Sequence, residues 1–125
     1  MKRKALMITG LCALAVALAQ ASLRPASAHA THGALPVTTI KVETHGSIFK
    51  MSAKTAPRGV VIFKVTNTNH YTRHDFSIKG RTTPVLSYGQ SATLRVHFLR
   101  PGRYPYKCTL PHHAGWGQKG VFTIT

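Results

Sequence analysis

Short runs in which apolar and polar residues alternate make up most of the chain after its first thirty residues. In two of the clearest, the apolar members are Val61, Phe63 and Val65, and Leu94, Val96 and Phe98. A period of two is that of a β-strand with one buried face. Residues typical of turns separate the runs, as in Pro57-Arg58-Gly59, Asn67-Thr68-Asn69 and Arg100-Pro101-Gly102. The pattern predicts an all-β fold, an antiparallel β-sandwich of about seven short strands.

Residues 1–30 have the composition of an export signal. Lys2, Arg3 and Lys4 precede an apolar run, Ala5 to Ala19, that is short for a membrane-spanning helix. The small residues around Ala28-His29-Ala30 fit a cleavage site. We predict a signal peptide over 1–30, one domain over 31–125, and a periplasmic or otherwise extracytoplasmic location. The alternative is a retained membrane anchor.

The charge of the predicted domain is strongly positive. Residues 31–125 carry 13 of the 17 Lys and Arg residues and both acids, Glu43 and Asp75, for a net charge of +11. Such a surface favours an acidic redox protein or an anionic membrane as its partner. Export and the scattering of the basic residues along the strands argue against nucleic acid. We expect a monomer that binds an acidic redox protein, with peripheral association with an anionic membrane surface as a second expectation.

Cys108 is the single cysteine of residues 31–125, because Cys12 lies in the predicted signal peptide. A lone thiol in an exported protein is usually oxidised, paired with another chain or bound to metal. His112 and His113 follow it closely, and His74 lies upstream in a strand-like run. A thiolate and two imidazoles are the equatorial ligands of blue-copper sites. The sequence therefore predicts one copper ion held by Cys108, His74 and one of the two loop histidines.

The alternation also bears on the orientation of the ligands. His74 has the parity of Phe76 and Ile78, and Cys108 has that of two tyrosines, so both should point inward. Blue-copper sites often add a weak axial Met, or Gln in its place. Because Met51 lies far from the loop, we predict Gln118 as the axial ligand. The alternative for Gln118 is a loop residue that points to water.

Two further features near the ligands have two interpretations each. Asp75 is either a surface acid or a group that fixes the two ligand-bearing segments through hydrogen bonds. Leu110 and Trp116 either pack the loop or form, beside His113, a docking patch for a redox partner.

These motifs resemble the cupredoxins of the plastocyanin/azurin family over residues 37–125. Gly102 to Cys108 matches the family's G-x-Y-x-Y-x-C strand, and Cys108-x4-His113 matches its ligand loop. The third element reads His113-x4-Gln118-x-Gly120, with Gln where Met is common, as in stellacyanin-like sites. This spacing selects His113 over His112, which occupies a position where the family often has Gly.

The resemblance implies a Greek-key sandwich of seven to eight strands that holds one copper ion. It implies a carrier of single electrons between redox partners, and no enzymatic activity. The predicted metal ligands are then His74, Cys108, His113 and Gln118. The alternative function is an extracytoplasmic protein that stores or delivers copper.

Overall fold

The computed structural model describes residues 33–125, and the predicted signal peptide lies outside this range. These residues form nine β-strands and no helix, and hence none that could cross a membrane. The strands are β1 (Val37–His45), β2 (Ile48–Met51), β3 (Thr55–Ala56), β4 (Gly59–Asn67), β5 (Ser77–Ile78), β6 (Arg81–Thr82), β7 (Ser91–Phe98), β8 (Gly102–Lys107) and β9 (Lys119–Ile124). Three of them have only two residues, which accounts for the difference from the seven to eight strands expected.

The strands form two sheets that pack as a sandwich, as the sequence predicted. One sheet has the order β2-β1-β4-β7 and the other the order β3-β9-β8-β5-β6. The expectation of a wholly antiparallel sandwich is wrong for two strand pairs, because β1 runs parallel to β4 and β3 runs parallel to β9. After the β1–β2 hairpin the chain crosses to the second sheet at β3. It then returns to the first sheet as β4, which lies on the other side of β1 from β2 and runs parallel to β1.

The core lies between the sheets and consists of the inward residues of the alternating runs. Val61, Phe63 and Val65 of β4 are fully buried, and their neighbour Lys64 is exposed. The Phe63 ring lies 5.2 Å from the ring of Phe122 on β9, which belongs to the opposite sheet. Edge-to-face aromatic pairs at this separation add stability beyond the area they bury. The two-residue period therefore predicts the core faces of the long strands correctly.

The segment around His74 is less regular than its sequence suggests. Only Ser77–Ile78 form a strand here, and His74 makes an isolated bridge to Leu86. The backbone groups of His74 and Leu86 bond each other in both directions, at 3.1 Å and 2.7 Å. The bridge holds His74 at the end of the sandwich where β8 ends and the Cys108 loop begins.

Candidate metal centre

Three of the four predicted ligands lie on the loop that joins β8 to β9. Cys108 follows β8 directly, and Gln118 directly precedes β9. The Cys108 N–H donates to the Gln118 carbonyl at 3.0 Å and closes the base of the loop. The Gln118 N–H donates to the His113 carbonyl at 3.1 Å and braces its interior. The paired strands β8 and β9 therefore fix both ends of the loop.

The side chains of His74, Cys108 and His113 converge at this end of the sandwich. The ligand atoms of these three residues lie within 4.8 Å of one another. The two Nδ1 atoms are 3.1 Å apart, and His113 Nδ1 lies 3.5 Å from Cys108 Sγ. Gln118 Oε1 lies 3.2 Å from His113 Nδ1. The structure therefore brings all four predicted residues together.

The remaining edge of the His74 ring has polar partners of its own. Its Nε2 lies 2.8 Å from Thr72 Oγ1 and 3.2 Å from Asn69 Nδ2. In the neutral ring, a proton on Nε2 can be donated to the threonine hydroxyl, because the two hydrogens of Asn69 Nδ2 have the Gly46 carbonyl and Thr72 Oγ1 as acceptors. This hydrogen bond would assign the tautomer that leaves the Nδ1 lone pair facing His113. Such a partner fixes both the orientation and the basicity of a metal-binding imidazole.

The chemistry of this donor set fits a soft cation. With the ring protons of both His74 and His113 on Nε2, two nitrogen lone pairs, a sulfur and an amide oxygen face one another, and the Cys108 thiol proton can serve only one of the contacts. Gln118 is fully buried, and its Nε2 has no hydrogen-bond partner. The N–H groups of this amide therefore have no acceptor among the described residues. A cation between the four donors would make the arrangement favourable.

The pKa values of the ligands shift in opposite directions. Burial lowers the pKa of His74 below 6.5, and the nearby His113 lowers it further, against smaller opposing effects of Gln118 and Asp75. Burial raises the pKa of the Cys108 thiol above 9.0, although backbone N–H groups of Asp75 and Leu110 favour the thiolate. Since metal ligation needs a neutral imidazole and a thiolate, metal uptake would release the thiol proton.

Asp75 links the two ligand-bearing segments and is not a surface acid. Its side chain is only 3% exposed. One carboxylate oxygen accepts the backbone N–H of Thr109 at 2.6 Å, and the other accepts the Thr109 hydroxyl. Of the two interpretations of Asp75, the structure supports the one in which the carboxylate fixes the ligand loops.

Asn67, whose sequence pattern predicts only a turn, is a structural residue of the site. It is fully buried at the end of β4, and its Nδ2 donates to the carbonyls of Thr72 and Leu86 at 2.9 Å and 2.8 Å. Its Oδ1 accepts the Thr44 hydroxyl at 2.6 Å and the Asn69 N–H at 2.8 Å. These bonds tie both segments that hold His74 to the first sheet. A polar residue within a turn signal gave no indication of this role.

Aromatic side chains surround the outer edge of the site. Trp116 is 63% exposed, and its ring lies 5.4 Å from the half-buried His113 ring at an angle of 28°. Tyr71, which is 93% exposed, lines the same small cavity as Trp116 and His113. Leu110 is partly buried against the core, so it contributes more to loop packing than Trp116 does.

A β-sandwich with a thiol and two imidazoles at one end has the architecture of a small copper protein. The chain belongs to the plastocyanin/azurin family of copper-binding proteins, whose family model matches residues 28–125. Its cofactor is accordingly copper, and the His74, Cys108 and His113 cluster is the part of the described structure with a copper-type donor set. The chain matches no curated protein sequence.

Solved structures of cupredoxins share the fold. Reduced auracyanin from Roseiflexus castenholzii is 26% identical, with a TM-score of 0.62 over 70% of this chain and 97% of that one. Rusticyanin from Thiobacillus ferrooxidans is 18% identical, with a TM-score of 0.60 over 71% of this chain and 77% of that one. A multi-copper oxidase from Pediococcus acidilactici is 15% identical, with a TM-score of 0.55 over 99% of this chain and 31% of the enzyme.

Proposed function

We propose that the protein is an exported type 1 copper protein that carries single electrons between redox partners. It belongs to a family whose members are electron carriers. The observation that carries the proposal is the convergence of His74 Nδ1, His113 Nδ1, Cys108 Sγ and Gln118 Oε1 at the end of one sandwich. When bound, copper supplies the one-electron Cu(II)/Cu(I) couple.

The protein's part in this function is to hold the donors in place. The closed base of the 108–118 loop and the Asp75–Thr109 bonds limit movement of the ligands when the charge at the site changes. Cys108 is 1% exposed, so water has little access to the sulfur. A site that keeps its geometry in both oxidation states needs little reorganisation for each transfer.

The copper end also offers a surface for an acidic partner. Exposed Trp116 next to the half-buried His113 gives an apolar contact close to the ligands. Lys107 and Lys119, which precede Cys108 and follow Gln118, are exposed and paired across β8 and β9. Apolar surface beside basic residues suits brief docking of an acidic redox protein. We propose a monomer whose exchange with this partner is sensitive to salt.

Export is the second part of the proposal. The positive start and apolar run of residues 1–30 resemble a cleaved signal, and the single remaining thiol is compatible with an oxidising compartment when metal protects it. Sequencing the amino terminus of protein secreted from an expression host tests this part. A new terminus at or near Thr31 is expected, and an intact Met1 in the membrane fraction would contradict it.

Storage or delivery of copper is the second candidate. A cavity of about 190 Å³ reaches His74, His113 and Gln118 from the side of Asn69 and Tyr71. Such an opening would allow copper to exchange with a small chelator.

We favour a carrier over an enzyme because the likeness to the multi-copper oxidase covers under a third of that protein and shows the fold alone.

A visible spectrum of the copper-loaded protein tests the main proposal. We expect an intense Cu–thiolate band in the oxidised form that disappears on reduction and is absent from Cys108→Ser. A matched control, exposed His45→Gln, should keep the band. If the reduced protein lost copper to a Cu(I) chelator as fast as it exchanged electrons, copper delivery would be favoured. A Cu(II) protein without the band would contradict the carrier function.

A further inference from the structure

A second feature lies at the open edge of the sandwich, where β6 and β7 end their respective sheets. Each of these strands pairs with only one neighbour among the described residues, β6 with β5 and β7 with β4. Between them lies a cleft of about 200 Å³ lined by Lys79, Arg81, Arg95, Val96 and His97. An edge strand pairs its backbone on one side only, so the cleft lies where neither sheet continues.

The cations of the cleft come from three separate segments. Lys79 lies in the turn after β5, Arg81 on β6, and Arg95 on β7 of the other sheet. Lys79 Nζ is anchored, since it donates to the His97 carbonyl and lies 5.4 Å from the centre of the Phe98 ring. The fold therefore anchors one cation and places two arginines in the lining of the same cleft.

These charges have no acidic partner within residues 33–125. Neither the Arg81 nor the Arg95 side chain makes a hydrogen bond or an ion pair with a described residue. Glu43 lies on β1, which β4 separates from β7. The carboxylate of Asp75 is occupied by Thr109. Like charges gathered without a counter-charge repel, and a bound anion would remove this repulsion.

We propose that the β6–β7 cleft binds an oxoanion of the phosphate or sulfate type. Guanidinium groups match such anions because two N–H groups can bond two oxygens at once. A tetrahedral oxoanion presents oxygens in several directions and can contact cations that come from both sheets. The group can be a free ion or the phosphate of a lipid headgroup, which the open edge would also admit. This inference does not depend on copper.

Anion binding to the metal-free full chain tests the proposal. Calorimetric titration with inorganic phosphate and sulfate is compared with chloride at equal ionic strength, and flotation with vesicles of phosphatidylglycerol is compared with vesicles of phosphatidylcholine. The double variant Arg81→Gln/Arg95→Gln should bind at least about tenfold more weakly, because hydrogen bonds to charged groups are strong. Arg58→Gln/Arg103→Gln, two exposed residues outside the cleft, has the same net charge and should bind as the parent does.

The arms of the experiment separate the possible sources of the anion. If phosphate or sulfate binds, and this binding is lost in Arg81→Gln/Arg95→Gln, the ligand is a soluble ion. If only the vesicles bind, and this binding is lost in the same variant, the ligand is a lipid headgroup. Equal loss in both double variants, or no binding beyond chloride, would overturn the proposal. The copper spectrum of Arg81→Gln/Arg95→Gln should match the parent, so the result is independent of the proposed electron carrier.

Discussion

Asp75 and Thr109, each the residue after a predicted copper ligand, are joined by two hydrogen bonds. The Asp75 carboxylate accepts both the N–H and the hydroxyl of Thr109, and it is buried. A carboxylate in this position sets the distance between the His74 and Cys108 segments. Because its oxygens have protein donors, its burial is offset by charge-assisted bonds.

Asp75→Asn should weaken both folding and copper binding. The amide oxygen can still accept the Thr109 N–H, and the amide NH2 can donate to the Thr109 hydroxyl, but neither bond is then assisted by the carboxylate charge. We therefore expect the free energy of unfolding to fall by roughly 1–2 kcal/mol. Copper affinity should fall about tenfold or more, as is usual when a group that orients a ligand is changed. Urea denaturation of the metal-free protein and competition titration measure the two effects. Glu43→Gln changes the other carboxylate and should leave both values near those of the parent.

Replacing Gln118 by Met should raise the reduction potential. A thioether is a softer donor than an amide oxygen and favours Cu(I). The metal-free protein should not lose stability, because the change also removes the buried, unpartnered Nε2; a gain of about 1 kcal/mol is expected. Redox titration and urea denaturation measure these quantities. Exposed Gln90→Met is the control for the redox titration only, because it also removes the bond from the Ser87 N–H to Gln90 Oε1. An unchanged potential in Gln118→Met would argue against axial ligation.

The stability of the metal-free protein should be greatest between about pH 6.5 and pH 9. The pKa of His74 is lowered on folding, so its contribution is present above 6.5 and is lost as the pH falls toward the lower folded-state value. The pKa of Cys108 is raised on folding, so its contribution is present below 9.0 and is lost as the pH rises through the folded-state value. Urea midpoints measured across this range, with His74→Gln for comparison, check the acid limb. A slope that is unchanged in His74→Gln would contradict this origin.

The sequence predicted the core, and which residues meet near Cys108, more fully than the connections around them. A buried face every second residue follows directly from strand geometry, so Phe63 and Val96 were identifiable as core residues. The spacing of Cys108, His113 and Gln118 predicted a ligand loop, and the structure places all three on the single loop between β8 and β9.

The long-range contacts could not be read from the sequence. Asn67 bonds residues as distant as Thr44 and Leu86, and nothing in its local pattern differs from an ordinary turn. The parallel pairing of β1 with β4 depends on where the intervening chain crosses between sheets. Period and spacing describe one segment at a time, whereas these features depend on which segments meet.

Asn67→Ala should be among the more destabilising single changes. It would leave the buried Thr44 hydroxyl and the Asn69 N–H without their acceptor and would remove one donor from the Thr72 and Leu86 carbonyls. Removing such a partner costs about 1–3 kcal/mol for a buried group. We expect the free energy of unfolding to fall by roughly 2–4 kcal/mol. Thr66→Ala, which removes an exposed hydroxyl bond to Ser91 in the same strand, is the control and should cost under about 1 kcal/mol. Equal losses in the two variants would contradict the role assigned to Asn67.

The backbone of His112 distinguishes it from His113 and provides a test of which loop histidine serves the copper. His112 has φ of 68°, in the left-handed region that glycine adopts without strain, and it is exposed. His112→Gly should therefore raise the free energy of unfolding by about 1 kcal/mol. The loss of the stacking of the His112 ring on Trp116 would reduce this gain. His112→Ala removes the same ring but keeps the strained backbone, so it should gain nothing. Both variants should keep the Cu–thiolate band, whereas His113→Gly should lose it. If His112→Gly lost the band, the spacing argument that selects His113 would be wrong.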